Sequence, residues 1–296
     1  METKFLYIFL LLANVSVLQS NAVVPQVPAL IVFGDSITDP GNNNGLKSSW
    51  AKCNFPPYGR DFQDQRATGR FSNGKIPPDF FASQLGIKEY LPAYLDPELS
   101  DEDLPSGVSF ASGGAGFDDI SAKLAAGYTL WDQLQMFKEY KRKIETVAGI
   151  ERASKIVSDS IYIILAGSND IMTTYLTSNI RSNYDLPSYV NYLVQAASSF
   201  NKNLYDLGAR KIGVVGVPPL GCVPAVRTLR GGITRECVDI DNQAALLFNT
   251  ELSAEMTRLA LELPGSKIIY MDVYNILLDL IMNSSHYGTY YRLYQF

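Results

Sequence analysis

The residues able to do chemistry in this 296-residue chain gather where apolar runs end abruptly. Leu30, Ile31, Val32 and Phe33 form a continuous apolar run that stops at Gly34-Asp35-Ser36, as expected of a strand buried on both faces of a parallel sheet. Ligands in open α/β sheets bind beyond the carboxyl ends of the strands, which places the Ser36 hydroxyl where a nucleophile would sit. The same Gly-Asp-Ser also reads as a turn capping a helix, because Ser and Asp are strong N-caps. Nucleophilic attack by serine needs a base to take its proton, and the oxyanion that forms needs preorganised donors. Two other run ends offer donors. Gly113-Gly114 follows the run Gly107–Ala111, and glycines there let backbone approach a ligand closely. This string lacks the Lys-Ser/Thr of a phosphate-cradling P-loop. Asn169 follows the run Ile161–Ala166. Its amide donates without any change of protonation, although Gly-Ser-Asn-Asp is also good turn chemistry.

Five strings carry a wider resemblance: FGDSITDPGNNN from Phe33, PPYGRDF from Pro56, ATGRFSNGK from Ala67, FASGGAG from Phe110 and AGSND from Ala166. In this order they resemble the plant GDSL esterase/lipases, a branch of the SGNH hydrolases. The resemblance implies a secreted serine esterase or lipase that hydrolyses acyl, lipid-like esters on a three-layer α/β/α, flavodoxin-like fold. It implies Ser36 as the nucleophile. It also implies an oxyanion hole built from the backbone N–H of Ser36, the N–H of Gly114, with Gly113 as the neighbouring alternative, and the side-chain amide of Asn169. No metal or organic cofactor is implied, and the partner is a small-molecule or lipid ester.

The family's acid and base belong to one Asp-x-x-His motif near the C-terminus, which is not found in these residues. The single histidine is His286, with Asn283 three residues before it. The string NSSHYG matches the family's Asn-Pro-x-x-Tyr-Gly segment, upstream of that motif, and the likeness stops at Gly288, before TYYRLYQF. The expectation is a C-terminally truncated form with impaired turnover, its hydrolase domain over residues 23–288 and a non-family tail over 289–296. A catalytically silent lipid or ester binder and a mis-spliced product are the alternative readings. Asp272, with no histidine to orient, reads as a helix cap.

The elements that must position these groups alternate along the chain. Apolar runs at 30–33, 107–111, 161–166, 211–217 and 267–273 are separated by segments such as 130–148, 189–207 and 241–262, whose apolar residues recur at spacings of three and four. Strand and helix in alternation predict one α/β domain with a five-stranded parallel sheet covered on both faces. The stretch Asp39–Ile76 is long, irregular and rich in Gly, Pro and Asn, and it reads as a wall of the cleft.

The ends and the composition bound the partners. Phe5–Leu18 is almost wholly apolar and precedes Ser20-Asn21-Ala22, the pattern of a signal peptide cut after Ala22. The run is shorter than the roughly 20 residues of a membrane span, so a soluble, extracellular protein is expected. With 25 Lys and Arg against 30 Asp and Glu, the net charge is −5, which argues against nucleic acid or an anionic membrane as partner. Of three cysteines, Cys222 and Cys237 flank a Gly/Arg-rich loop and could close it. Cys53 is left over, with either a lost partner or a buried thiol as its reading. Asn283-Ser284-Ser285 is an N-glycosylation sequon.

Overall fold

The computed structural model describes Val27 to Gly288, except Asn179. The expected leader over 1–22 and the tail over 289–296 lie outside these residues. Four parallel strands form the sheet: β1 (Leu30–Gly34), β2 (Ile161–Leu165), β3 (Lys211–Val215) and β4 (Lys267–Met271), in that spatial order. Leu30 aligns with Ile161, Ile161 with Lys211 and Lys211 with Lys267, so all four strands end at one level.

The fifth expected strand is not a strand, which corrects the five-stranded reading. The run Gly107–Ala111 lies beside β1 and makes only isolated bridges, to Val32 and Ala93. Val32 donates to the Val108 carbonyl at 3.1 Å and Phe110 donates to the Val32 carbonyl at 2.8 Å. The pairing is cut short at its start because Gly107 has φ +97° and presses on Leu30, where a Cβ would lie 2.0 Å from the Leu30 carbonyl oxygen. A chain entering in that conformation cannot extend a β ladder backwards.

The two faces of the sheet follow from the period-two alternation of strand side chains. Ile31, Phe33, Tyr162, Ile164, Ile212, Val214 and Ile268 point into the larger core. Over that face lie the long helices, introduced after two short ones, α1 (Pro77–Gln84) and α2 (Asp119–Ala125). They are α3 (Leu130–Ala148), followed by α4 (Ile150–Asp159), and then α5 (Leu186–Asp206). A short α6 (Pro224–Arg230) precedes α7 (Asp239–Glu262), and α8 (Tyr274–Met282) follows β4. Helix α3 starts on a capping box, in which Thr129 Oγ1 accepts from Asp132 N–H at 3.1 Å and Asp132 Oδ2 accepts from Thr129 N–H at 2.9 Å. Beneath β1 its Phe137 meets Phe33 edge-on at 5.7 Å between centroids, while Phe110 stacks on Phe33 at 5.2 Å. Such contacts add roughly 0.5–1.5 kcal/mol each beyond burial.

The opposite face is covered unevenly. Leu30, Val32, Ile163, Leu165 and Val215 are buried against Ala82 of α1 and Leu91. Towards β4 this cover runs out: an open groove is lined by Phe81, Leu85, Ile163, Ile269 and Met271, and Ile269 is 57% exposed. On α8, Ile276 is 60% exposed. Among the described residues no helix is long and apolar enough to cross a membrane.

Two cysteines form a disulfide, Cys222–Cys237, with Cα atoms 4.4 Å apart. Closing a loop of this length is worth about 3 kcal/mol in the chain-entropy model. Cys53 is a buried free thiol.

The open apolar strip on β4 is expected to bind a hydrophobic dye in the folded state. Ile269→Lys should cut that fluorescence while changing stability by no more than about 0.5 kcal/mol, as for other exposed positions. Folded protein that leaves the dye dark, or an Ile269→Lys variant as bright as the parent, would contradict the exposure of this face.

Candidate active site

Three turns at the carboxyl end of the sheet, after β1, after the run 107–111 and after β2, each carry one of the residues singled out in the sequence. The first starts at Gly34, whose φ of +143° turns the chain sharply; a Cβ there would lie 2.0 Å from the Leu165 carbonyl oxygen, so no larger residue fits. Asp35 N–H then donates to the Leu165 carbonyl at 3.1 Å, tying this turn to β2. Asp35 is buried and Ser36 half-buried. The second turn is bound to the first, because Ser112 N–H donates to the Gly34 carbonyl at 3.0 Å. The third follows β2 and continues into a π-helical turn over Asp170–Tyr175. There Asn169 Nδ2 donates to the Ala115 carbonyl at 2.9 Å, joining the third turn to the second. Ser36, Gly114 and Asn169 therefore stand on three segments hydrogen-bonded to one another in sequence.

The donors differ from their neighbours in one respect. Asp35 N–H is bonded to Leu165 and Ile37 N–H to Asp35 Oδ1 at 2.9 Å. Gly113 N–H donates to Asp39 Oδ2 at 2.9 Å and Ala115 N–H to the Ser112 carbonyl at 3.0 Å. Between these satisfied groups, the N–H of Ser36, the N–H of Gly114 and the second Nδ2 hydrogen of Asn169 have no partner among the described residues. All three residues are half-buried. Gly113, the neighbouring alternative, is buried with its N–H already taken by Asp39.

Buried side chains that the sequence reading passed over hold these turns. Asp39 Oδ1 accepts from Gly41 N–H at 2.8 Å and Asn42 N–H at 2.7 Å. Asn42 Nδ2 donates to the carbonyls of Ser109 and Ala111, and Asn43 Nδ2 to those of Ala51 and Gly113. Asp170 Oδ2 accepts from Phe117 N–H at 2.9 Å, and its Oδ1 from Asp118 N–H and the Ser121 hydroxyl. Gly116 makes room for it, since a Cβ there would sit 2.1 Å from Asp170 Oδ1. In the stretch 39–76, Arg70 grips the buried Asp79 with two bonds of 2.9 Å, and Asp79 also accepts from the N–H groups of Ile76 and Leu91. The signal that would have found these residues is burial of short polar side chains inside a Gly-rich segment, and composition alone does not show burial.

Burial also sets the charges. It raises the Asp35 carboxyl to about 7 against the pull of the Ile37 N–H, with the negative charges of Asp170 and Asp39 adding to the rise. It raises Asp39 and Asp170 to about 6 in spite of the N–H groups that each accepts. For Asp118, burial works in the same direction, but the Arg181 guanidinium at 2.7 Å outweighs it and holds the carboxyl below its ordinary range.

The residues considered for base and acid are exposed. His286 is exposed on the 3₁₀ turn after α8. Asp272 is exposed at the start of α8, where it accepts from Tyr274 N–H at 2.8 Å and acts as a cap. Asn283 is exposed, its amide donating to Asp279 Oδ1. Among the described residues no group of three or more His, Cys, Asp or Glu is placed to hold a metal ion.

The family model of the GDSL-like lipases/acylhydrolases matches residues 30–290. GDSL esterase/lipase EXL3 of Arabidopsis thaliana is 49% identical over 262 residues, covering 88% of this chain and 72% of the relative. GDSL esterase/lipase EXL2 of the same plant is 43% identical over 288 residues, 91% of this chain and 76% of the relative. GDSL esterase/lipase At3g43550, also from Arabidopsis thaliana, is 48% identical, with 90% of its length covered. The chain is thus a carboxylic ester hydrolase of the serine type by descent. It belongs to the GDSL esterase/lipase family.

A carboxyl whose folded value lies above its ordinary 3.8 binds protons more tightly in the folded state, so its contribution to stability is lost as pH rises from about 4 to about 7. Unfolding followed at pH 5 and pH 8 should therefore show lower stability at the higher pH. Asp35→Asn, which keeps an acceptor for Ile37, should flatten that fall. An unchanged slope in the variant would show that Asp35 does not titrate in this window.

Proposed function

We propose that this chain carries the nucleophile and the oxyanion hole of an exported acyl-ester hydrolase of the SGNH type. The observation that supports this most is the set of three unpartnered donors at Ser36, Gly114 and Asn169, on three mutually bonded turns at one end of the sheet. In this reading the Ser36 hydroxyl attacks the ester carbonyl. The Ser36 N–H, the Gly114 N–H and the Asn169 amide receive the negative charge that develops on the carbonyl oxygen, where fixed donors stabilise it most. Asn169 suits the task because its bond to the Ala115 carbonyl fixes the amide plane and leaves one hydrogen to give. Substrates are acyl, lipid-like esters, in keeping with relatives named esterase/lipase. An export route fits the sequon at the exposed Asn283 and the disulfide at Cys222–Cys237.

His286, the described histidine, is exposed and shares no hydrogen bond with Ser36, and loss of the base alone costs a serine hydrolase on the order of 10⁶ in kcat. Oxyanion donors and binding by themselves retain on the order of 10³–10⁴ over water. The purified chain is therefore expected to cleave a short activated ester slowly. Ser36→Ala should return the rate to background and His286→Ala should leave it unchanged. Removing a single donor with Asn169→Ala should lower it by roughly 10²–10³ or to background, whichever comes first. Equal rates for the parent and Ser36→Ala would overturn the assignment of the nucleophile. A loss of rate in His286→Ala would overturn the exclusion of that residue.

A further inference from the structure

One polar residue interrupts the apolar stripe of α3. Leu130, Leu134, Phe137, Tyr140 and Ile144 form its buried face, and Gln133 lies among them with no exposure at all. Burying an amide is costly unless its atoms are hydrogen-bonded, and here both ends are. Gln133 Oε1 accepts from Gly34 N–H at 2.9 Å, and Gln133 Nε2 donates to the Gly34 carbonyl at 2.9 Å. The side chain thus closes a two-bond ring on one backbone residue, two positions before Ser36.

The sheet explains why such a ring is needed. Along β1, Val32 turns its N–H and carbonyl towards Val108 and Phe110. Gly34, two residues on, turns the same way. At that level the neighbouring segment has begun to diverge and supplies only Ser112 N–H. A parallel strand would continue to offer both a donor and an acceptor; Gln133 Oε1 supplies the missing acceptor, and Gln133 Nε2 adds a second donor to the carbonyl that Ser112 already holds. On the other side, Asp35 N–H is held by the Leu165 carbonyl. The peptide that starts the nucleophile turn is therefore clamped from both edges, in the left-handed conformation that only Gly34 permits.

We propose that Gln133 is a positioning residue for Ser36, acting through the backbone of Gly34 to fix the direction in which the hydroxyl and the Ser36 N–H point. The inference rests on the reading of Ser36 as the nucleophile. Leucine at this position keeps most of the volume and removes both bonds. Glutamate keeps the shape and the acceptor for Gly34 N–H, yet faces the Gly34 carbonyl with a second acceptor unless it is protonated.

The test uses the whole chain with Gln133→Leu and Gln133→Glu and three readouts: thermal unfolding, the rate at which a fluorophosphonate probe labels Ser36, and deuterium uptake of peptides over 31–38, β3 and α7. Gln133→Leu is expected to slow labelling at least 10-fold and to speed uptake in 31–38, with β3 and α7 unchanged. Gln133→Glu should behave likewise at pH 8 and recover towards the parent, compared at the same pH, under acidic conditions where the buried carboxyl holds its proton. Labelling and uptake like the parent in both variants would overturn the proposal. So would uptake rising equally in all peptides, or Gln133→Glu matching the parent at every pH, since either result marks Gln133 as a packing residue. If the parent itself is not labelled at Ser36, the reading of Ser36 as a working nucleophile in this chain fails. Uptake over 31–38 then decides alone whether Gln133 holds the turn.

Discussion

A peptide group taken out of water must find a partner, and at the carboxyl end of this sheet the regular ladder can no longer provide one. That constraint shapes the whole region. Beyond Gly34, Ala111 and Leu165 the chain turns while still buried, and side chains take over from strands as donors and acceptors: Asp39, Asn42, Asn43, Gln133 and Asp170. Each makes two or more bonds to backbone, at least one of them to a residue more than 50 positions away. Removal of one partner from such a buried set leaves groups unsatisfied, at about 1–3 kcal/mol each. At the half-buried positions Ser36 and Gly114 the N–H groups stay open.

The same constraint determines the electrostatics. Carboxylates are good acceptors for several N–H groups at once, but burial without a cation keeps their protons on at unusually high pH, as at Asp35, Asp39 and Asp170. Where a guanidinium is at hand the balance reverses, as for Asp118 with Arg181. Asp79 shows a fully buried carboxylate paired with a buried cation, Arg70. Breaking such a pair from one side typically costs 3–5 kcal/mol. This pair ties the long stretch 39–76, which carries a 3₁₀ turn at Asn42–Gly45, to α1.

Much of this was legible in the sequence where local pattern and tertiary role agree. The run Leu30–Phe33 is a strand and 130–148 is a helix with the expected ends, and Ser36 and Asn169 follow strand ends, whereas Gly114 follows a run that makes only isolated bridges. Strand patterns at 211–217 and 267–273 overran by two residues, since the strands end at Val215 and Met271. The run 107–111 has the composition of a strand but not the backbone, which Gly107 diverts against Leu30. Short helices at 77–84 and 150–159 escaped notice, the first because it opens on two prolines and the second because it follows α3 after a single glycine. The sequence singles out neither Asn42, Asn43 nor Gln133. Their importance comes from burial against partners 60 to 100 positions away, and no local window contains that information.

The central claim is that Ser36, Gly114 and Asn169 surround one oxygen-binding point. It is tested most directly by a crystal structure of the chain after reaction with an alkyl fluorophosphonate, whose phosphonyl oxygen stands in for the oxyanion. The account predicts phosphorus bonded to Ser36 Oγ and that oxygen within hydrogen-bond distance of Ser36 N, Gly114 N and Asn169 Nδ2. An adduct on Ser36 whose oxygen faces solvent or other donors, with Gly114 and Asn169 left unengaged, would contradict it.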